Sequence, residues 1–271
     1  MTPNSALQPT RYGMPLSSTL RIAFHMHRNL AALALLLALR AVAGTPAPLT
    51  LEDAPRGRLI PVEVYEPDLA TCSAKCRVLL FGTGYRASVS EYSFLLTALA
   101  EAGFLVVGIQ HDLEQDSPMP NTGDVTRDRT PYWDRGMGNI EFAVGMLKHR
   151  FPNHDWSRII LAGHSQGGDI AAKLASRPSF TASALVTLDN RRVPLPTSAP
   201  LPVLSIRSSD QPADPGVLPE RVDQGRAKIC VVRMPSTRHD DMNNSAAGSA
   251  KARMIELVVH FLRDGRCAGD A

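Results

Sequence analysis

The apolar positions of the chain fall into two repeating patterns. Arg58–Tyr65 (RLIPVEVY) alternates apolar and polar side chains, as a half-buried strand does. Arg77–Phe81, Phe104–Ile109, Arg158–Ala162, Ala184–Leu188, Val203–Ile206 and Lys228–Val232 are short, nearly continuous apolar runs, the pattern of strands covered on both faces. Helical spacing appears over Ser93–Ala102, Asn139–Lys148, Gly167–Ala175 and Ala250–Arg263, the last with Met254, Leu257, Val258 and Phe261 on one stripe. Between the strand at Phe104–Ile109 and the helix at Asn139–Lys148, the stretch His111–Gly136 is polar, holds three prolines and reads as a long loop.

Buried strands alternating with helices predict an α/β fold, a mostly parallel central sheet with helices on both faces. No repeat, low-complexity segment or shift of composition divides residues 44–271, so they read as one domain of about 228 residues, an ordinary size for this class. With 44% hydrophobic and 20% charged residues, the 271-residue chain is not disordered, fibrous or a multi-span membrane protein.

The formal charge of +3 changes meaning once it is located. Of 29 basic and 26 acidic side chains, residues 1–43 hold four basic ones (Arg11, Arg21, Arg28, Arg40) and no acid, leaving 25 against 26 in the remainder. That remainder has no basic excess for nucleic acid. Basic residues before the apolar run Leu30–Leu39, then Ala41-Val42-Ala43, match an export signal over 1–43, with Met26 an alternative start that gives a more compact signal. Ten apolar residues are too few to span a membrane. In an exported chain the four cysteines are expected to pair, and Cys72–Cys76 with Cys230–Cys267 is the simplest of three connectivities, a buried free thiol at Cys230 being the alternative. No cysteine or histidine spacing suits zinc, and neither a metal nor an organic cofactor is expected.

The segment richest in chemistry follows the strand RIILA directly: Gly163-His164-Ser165-Gln166-Gly167-Gly168, then a helix. G-x-S-x-G between a strand and a helix is the setting in which a serine becomes a nucleophile. The sharp turn strains Ser165, glycines two residues either side remove colliding side chains, and the helix N-terminus offers free N–H groups to an oxyanion.

On these residues the chain resembles the α/β-hydrolase family from about Arg58 to the last helix, most closely its dienelactone-hydrolase-like, platelet-activating-factor-acetylhydrolase-like and cutinase-like polyester esterases. DAPRGRLIPVEVYEP resembles their opening strands and LLFGTGYRAS their oxyanion strand and loop. The resemblance implies backbone oxyanion donors at Tyr85 and Gln166, while Thr83 stands where many relatives carry His. It implies the order nucleophile, acid, histidine, which makes His239 in STRHDDM the base. Three acids are in contention. Asp210, after the strand VLSIRSS, holds the commonest position; Asp189 ends ALVTLD, a position some relatives use; Asp214 lies four residues beyond Asp210.

The reaction implied is carboxylic-ester hydrolysis through an acyl-enzyme on Ser165 in an exported protein, periplasmic or extracellular. Thioesterase, peptidase and acyltransferase activities share that chemistry, and a non-catalytic binding module on the same fold is the rival from another class. Only Asn190–Leu201 follows the strand segment ending at Asp189 before the next strand region, which leaves no room for a cap domain, so the expected pocket is open and suits bulky or polymeric esters. Tyr132 and Trp133 in the long loop read equally as a substrate subsite or as packing.

Overall fold

The computed structural model describes residues 43–267, apart from 73, 199, 200, 222 and 225–227. The leader read over 1–43 lies outside these residues save for Ala43, as does the alternative start at Met26. The described chain is built on one eight-stranded sheet: β1 Pro46–Asp53, β2 Arg58–Tyr65, β3 Arg77–Gly82, β4 Leu105–Ile109, β5 Asp155–His164, β6 Ala184–Leu188, β7 Val203–Arg207 and β8 Ile229–Arg233. The order across the sheet is β1-β2-β4-β3-β5-β6-β7-β8. Both contacts of β2 are antiparallel, and the five pairings beyond it are parallel.

Helices on the two faces include α1 Ser93–Glu101, α2 Val125–Arg150, α3 Gln166–Ala175 and α4 Gly248–Asp264. The continuous apolar strands follow from this arrangement, because alternate side chains enter different layers. Val78 and Leu80 of β3 join a cluster with Trp133, Met137 and Ile140 of α2 and Ile170 and Leu174 of α3. Leu79 and Phe81 point the other way, toward Leu95, Leu96 and Leu99 of α1 and Met254, Leu257 and Phe261 of α4. In-register neighbours extend both layers across the sheet, with Leu80 opposite Val107 and Leu161, and Leu79 opposite Val106 and Ile160.

Two elements differ from the sequence reading. Strand β1 (PAPLTLED) was not expected; it tolerates Pro46 and Pro48 because it is an edge strand with one side unpaired. The supposed loop His111–Gly136 ends early, since α2 starts at Val125. The Asp124 carboxylate caps that start by accepting the Arg127 N–H at 3.0 Å. The first two turns, VTRDRTP, are polar and contain Pro131, so they lack the apolar stripe that begins at Tyr132 and Trp133. No helix interrupts the β6–β7 connection among its described residues, so the strand ends are uncapped. No described helix is long and apolar enough to cross a membrane.

Both disulfides are present, Cys72–Cys76 ahead of β3 and Cys230–Cys267 joining β8 to the end of α4. No cysteine is free. A different tie holds the loop after β6. Asp169, buried in the first turn of α3, accepts at Oδ1 the backbone N–H groups of Arg191 (3.1 Å), Arg192 (2.9 Å) and Val193 (3.0 Å). Burial outweighs these bonds and pushes its carboxyl up to about 6.

Two stability predictions follow from these ties. Closing the 37-residue separation of Cys230 and Cys267 should contribute about 4 kcal/mol through the entropy of the unfolded chain, against about 2 kcal/mol for the four-residue loop. Urea unfolding of the two double Cys→Ala variants should rank them in that order, and the reverse order would refute the loop-length account. For Asp169 the folded pKa exceeds the unfolded one, so its contribution is complete below about pH 4 and is lost as pH rises through about 6. Asp169→Asn keeps the Oδ1 acceptor without the charge. The variant should match the wild type near pH 4 and exceed it by on the order of 1–3 kcal/mol at pH 8. Parallel stability curves from pH 4 to 8 would show that Asp169 is ionised throughout.

Candidate active site

The candidate site lies at the carboxyl ends of β5 and β6, where the chain turns from strand to helix. Ser165 sits between β5 and α3 with φ 51° and ψ −116°, a left-handed conformation that a non-glycine residue holds only where its surroundings impose it. Its N–H donates to the Leu188 carbonyl of β6 (2.8 Å) and its carbonyl accepts the Asp169 N–H (3.0 Å). The flanking glycines are required by close approach. A Cβ on Gly167 would stand 2.1 Å from the Gly82 carbonyl oxygen, and one on Gly163 would stand 2.4 Å from the Gly167 carbonyl carbon.

His239 opens a single 3-10 turn, His239–Asp241, after β8. Its Nε2 is 2.9 Å from Ser165 Oγ, and its Nδ1 is 2.6 Å from Asp189 Oδ2. Asp189 is wholly buried directly after β6, with φ 54°. Ser208 gives it two bonds, its N–H to Oδ1 (3.0 Å) and its hydroxyl to Oδ2 (2.6 Å). The Arg207 guanidinium makes an ion pair at 2.9 Å, while its other terminal nitrogen donates to the Asn190 carbonyl (2.6 Å). Burial raises the Asp189 pKa, but His239, Arg207 and Ser208 together hold it below the usual carboxylate range.

The two other candidate acids are placed elsewhere. Asp210, favoured from its position in the sequence, does not meet the imidazole ring; its Oδ1 accepts the backbone N–H of His239 at 2.7 Å. The sheet order supplies the reason. Strand β6 is the immediate neighbour of β5, and the Ser165–Leu188 bond ties the elbow to its last residue, so Asp189 comes close to Ser165. Asp210 emerges from β7, one strand further out. Asp214 pairs with Arg192.

His164, the residue before Ser165 in the elbow, lies buried under His239 with ring centroids 4.8 Å apart. Its Nδ1 is 2.9 Å from Tyr92 Oη, which also accepts the Gly84 N–H at 3.1 Å; because Nε2 faces a carbonyl and must carry the proton, the phenol donates to Nδ1 of the neutral ring. Its Nε2–H then donates to the His239 carbonyl at 3.1 Å. Burial, with His239 alongside, lowers its pKa to about 3, so it acts as a neutral bridge from the loop after β3 to the His239 turn. Only its place beside the serine hinted at this; Tyr92 left no signal.

Gln166 is the first residue of α3, so its backbone N–H has no partner within the helix. Around Tyr85, the Gly84 N–H goes to Tyr92 and the Arg86 N–H to Asp112, leaving the Tyr85 N–H between two occupied donors. The Tyr85 ring stands edge-on to Tyr132, and its Oη accepts the Met119 N–H (2.8 Å), so the 111–124 loop folds against it. Thr83 is fully buried. Tyr132 braces the same loop through the Ser117 and Pro118 carbonyls, while Trp133 packs into the core. Among the described residues no group of three or more His, Cys, Asp or Glu is placed to hold a metal ion.

No family model matches the sequence, and no curated protein does. Solved structures do match the fold. An α/β serine hydrolase homologue from Coxiella burnetii aligns at 15% identity and TM-score 0.52, over 82% of this chain and 99% of that one. An α/β serine hydrolase without lid from Xanthomonas campestris aligns at 18% identity and TM-score 0.51, over 84% and 99%. Est1E from Butyrivibrio proteoclasticus aligns at 14% identity and TM-score 0.55, over 80% and 99%. Sheet order, elbow and neighbours agree: the chain has the α/β-hydrolase fold, without a cap domain among its described residues.

Proposed function

We propose that the protein is an exported serine carboxylic-ester hydrolase. The observation that carries this reading is the unbroken chain from Ser165 Oγ through His239 to Asp189, with both hydrogen bonds at 2.9 Å or less. In this reading His239 takes the Ser165 proton as the hydroxyl attacks the ester carbonyl, then returns it to the leaving alcohol. Asp189 keeps the proton-bearing Nδ1 turned inward and stabilises the imidazolium. Backbone N–H groups of Tyr85 and Gln166 receive the negative charge of the tetrahedral intermediate. Water activated by His239 then releases the acid from the acyl-enzyme.

Fold neighbours described as esterases support the ester over other acyl substrates. They include esterase 2 of Thermogutta terrifontis, solved phosphonylated by cyclosarin. The lack of a cap among the described residues favours bulky or polymeric esters over a small molecule enclosed at the strand ends. Export is supported by the leader pattern and by the two disulfides, which persist in oxidising compartments.

The roles are separable by substitution. A serine-directed phosphonate should add its mass to the peptide carrying Ser165, and Ser165→Ala should abolish both labelling and p-nitrophenyl butyrate hydrolysis. Asp189→Asn should lower kcat on the order of 10⁴-fold while circular dichroism shows a folded protein, because the amide favours the wrong imidazole tautomer. Asp210→Asn should lose about tenfold or less, since an amide oxygen still accepts the His239 N–H. A collapse in Asp210→Asn with Asp189→Asn near wild type would refute the assignment. Esters, thioesters and amides of one acid, assayed together, separate the hydrolase classes.

A further inference from the structure

Asp112 stands three residues beyond β4, is 3% exposed, and bonds both segments that carry the oxyanion donors. Its Oδ2 accepts the backbone N–H of Arg86 at 3.1 Å and the side-chain Nε2 of Gln166 at 2.9 Å. Arg86 follows Tyr85 immediately, and Gln166 follows Ser165. One carboxylate oxygen thus joins the loop after β3 to the first turn of α3. Arg86 has φ 57°, a left-handed conformation that the Asp112 bond helps to hold.

The other oxygen is tied to a chain of alternating charge. Asp112 Oδ1 accepts Arg135 Nη2 at 2.5 Å, and the same nitrogen lies 3.3 Å from Asp116. Asp116 takes both terminal nitrogens of Arg58, at 2.9 and 2.8 Å, and its carbonyl accepts Arg86 Nη2 at 3.0 Å. These residues come from β2, α2 and the 111–124 loop, all remote in sequence from the elbow.

An oxyanion site works when its donors are fixed at their final separation before charge develops. We propose that Asp112 is the positioning residue that fixes this separation, and that Arg135 neutralises it so that its own charge does not oppose the oxyanion. This deepens the hydrolase reading and rests on it. Asp112 touches neither Ser165 nor, in this reading, the substrate; it acts through Arg86 and Gln166.

A purely structural Asp112 would alter stability and leave the kinetics of the folded enzyme unchanged, and this decides the test. Asp112→Asn should lower kcat for p-nitrophenyl butyrate roughly 10- to 100-fold, less than the roughly 10²- to 10³-fold that follows complete loss of an oxyanion donor. KM should stay within about twofold, because the ground-state carbonyl makes little use of the donors. Affinity for a trifluoromethyl ketone, whose adduct carries the oxyanion, should fall by the same factor as kcat/KM.

A second variant, Gln166→Glu, sets a carboxylate against Asp112. The pair can hold a bond only while it shares a proton, and like charges raise its apparent pKa. Activity relative to wild type should therefore be highest at low pH and fall as pH rises and the shared proton is lost. A folded Asp112→Asn enzyme with wild-type kcat overturns the proposal. Where Asp112→Asn does not fold, a Gln166→Glu profile shaped like the wild type's overturns it instead. Ser165→Ala in the same assay separates the two levels: if it remains active, the hydrolase reading fails and the Asp112 role with it. An inactive Ser165→Ala beside an undiminished Asp112→Asn removes the positioning role alone.

Discussion

A carboxylate removed from water must be surrounded by donors, and the ends of three strands converge to satisfy this need at Asp189. The side chain has no solvent exposure, and it collects Arg207 and Ser208 from the end of β7 and His239 from the turn after β8. Breaking a buried pair of this kind typically costs about 3–5 kcal/mol, so the loops after β6, β7 and β8 are not free to drift independently. The requirement that buries the acid also sets the imidazole. Once Nδ1 is fixed on Asp189, Nε2 faces Ser165.

The imidazole is fixed from behind as well. Asp210 holds its main-chain N–H and His164 its main-chain carbonyl, so the His239 peptide groups are gripped from two sides. His164 connects further, through Tyr92, to the Gly84 N–H. The loop after β3 and the turn after β8 therefore share a buried, fully neutral hydrogen-bond path. A neutral path suits this place under the proposed function, because a second cation under His239 would oppose the charge that the imidazole would gain on taking the serine proton.

The strands were legible because each is an apolar run bounded by polar residues, and the elbow was legible because its glycines are imposed by contacts as short as 2.1 Å to an added Cβ. Helix α2 was legible only from its apolar half; the polar first turns depend on the Asp124 cap and on tertiary packing, which periodicity does not register. Strand β1 was hidden by two prolines that only an edge position permits. The acid exposed a different limit. Chain order admits any aspartate between Ser165 and His239, and the choice depends on which strand is laid beside β5. That is a fact of topology, absent from the local sequence around Asp189 or Asp210.

Two buried aspartates near the elbow shift in opposite directions, because desolvation and partners balance differently at each. Asp169 is met by three backbone N–H groups, and these together with the charge of Arg129 do not offset its desolvation, so its pKa rises to about 6. Asp189 is met by the Arg207 guanidinium and by a histidine, and its pKa falls despite burial. At Asp189 the His239 hydrogen bond, the Coulomb attraction of Arg207 and the Ser208 bonds together outweigh desolvation. The distinction matches the work each residue can do. An acid that anchors a loop functions in either protonation state, whereas an acid in the role proposed for Asp189 has to remain an anion while the proton moves. At Asp189 the anion is favoured first by the His239 hydrogen bond and then by Arg207, the residue that ends β7, one strand beyond.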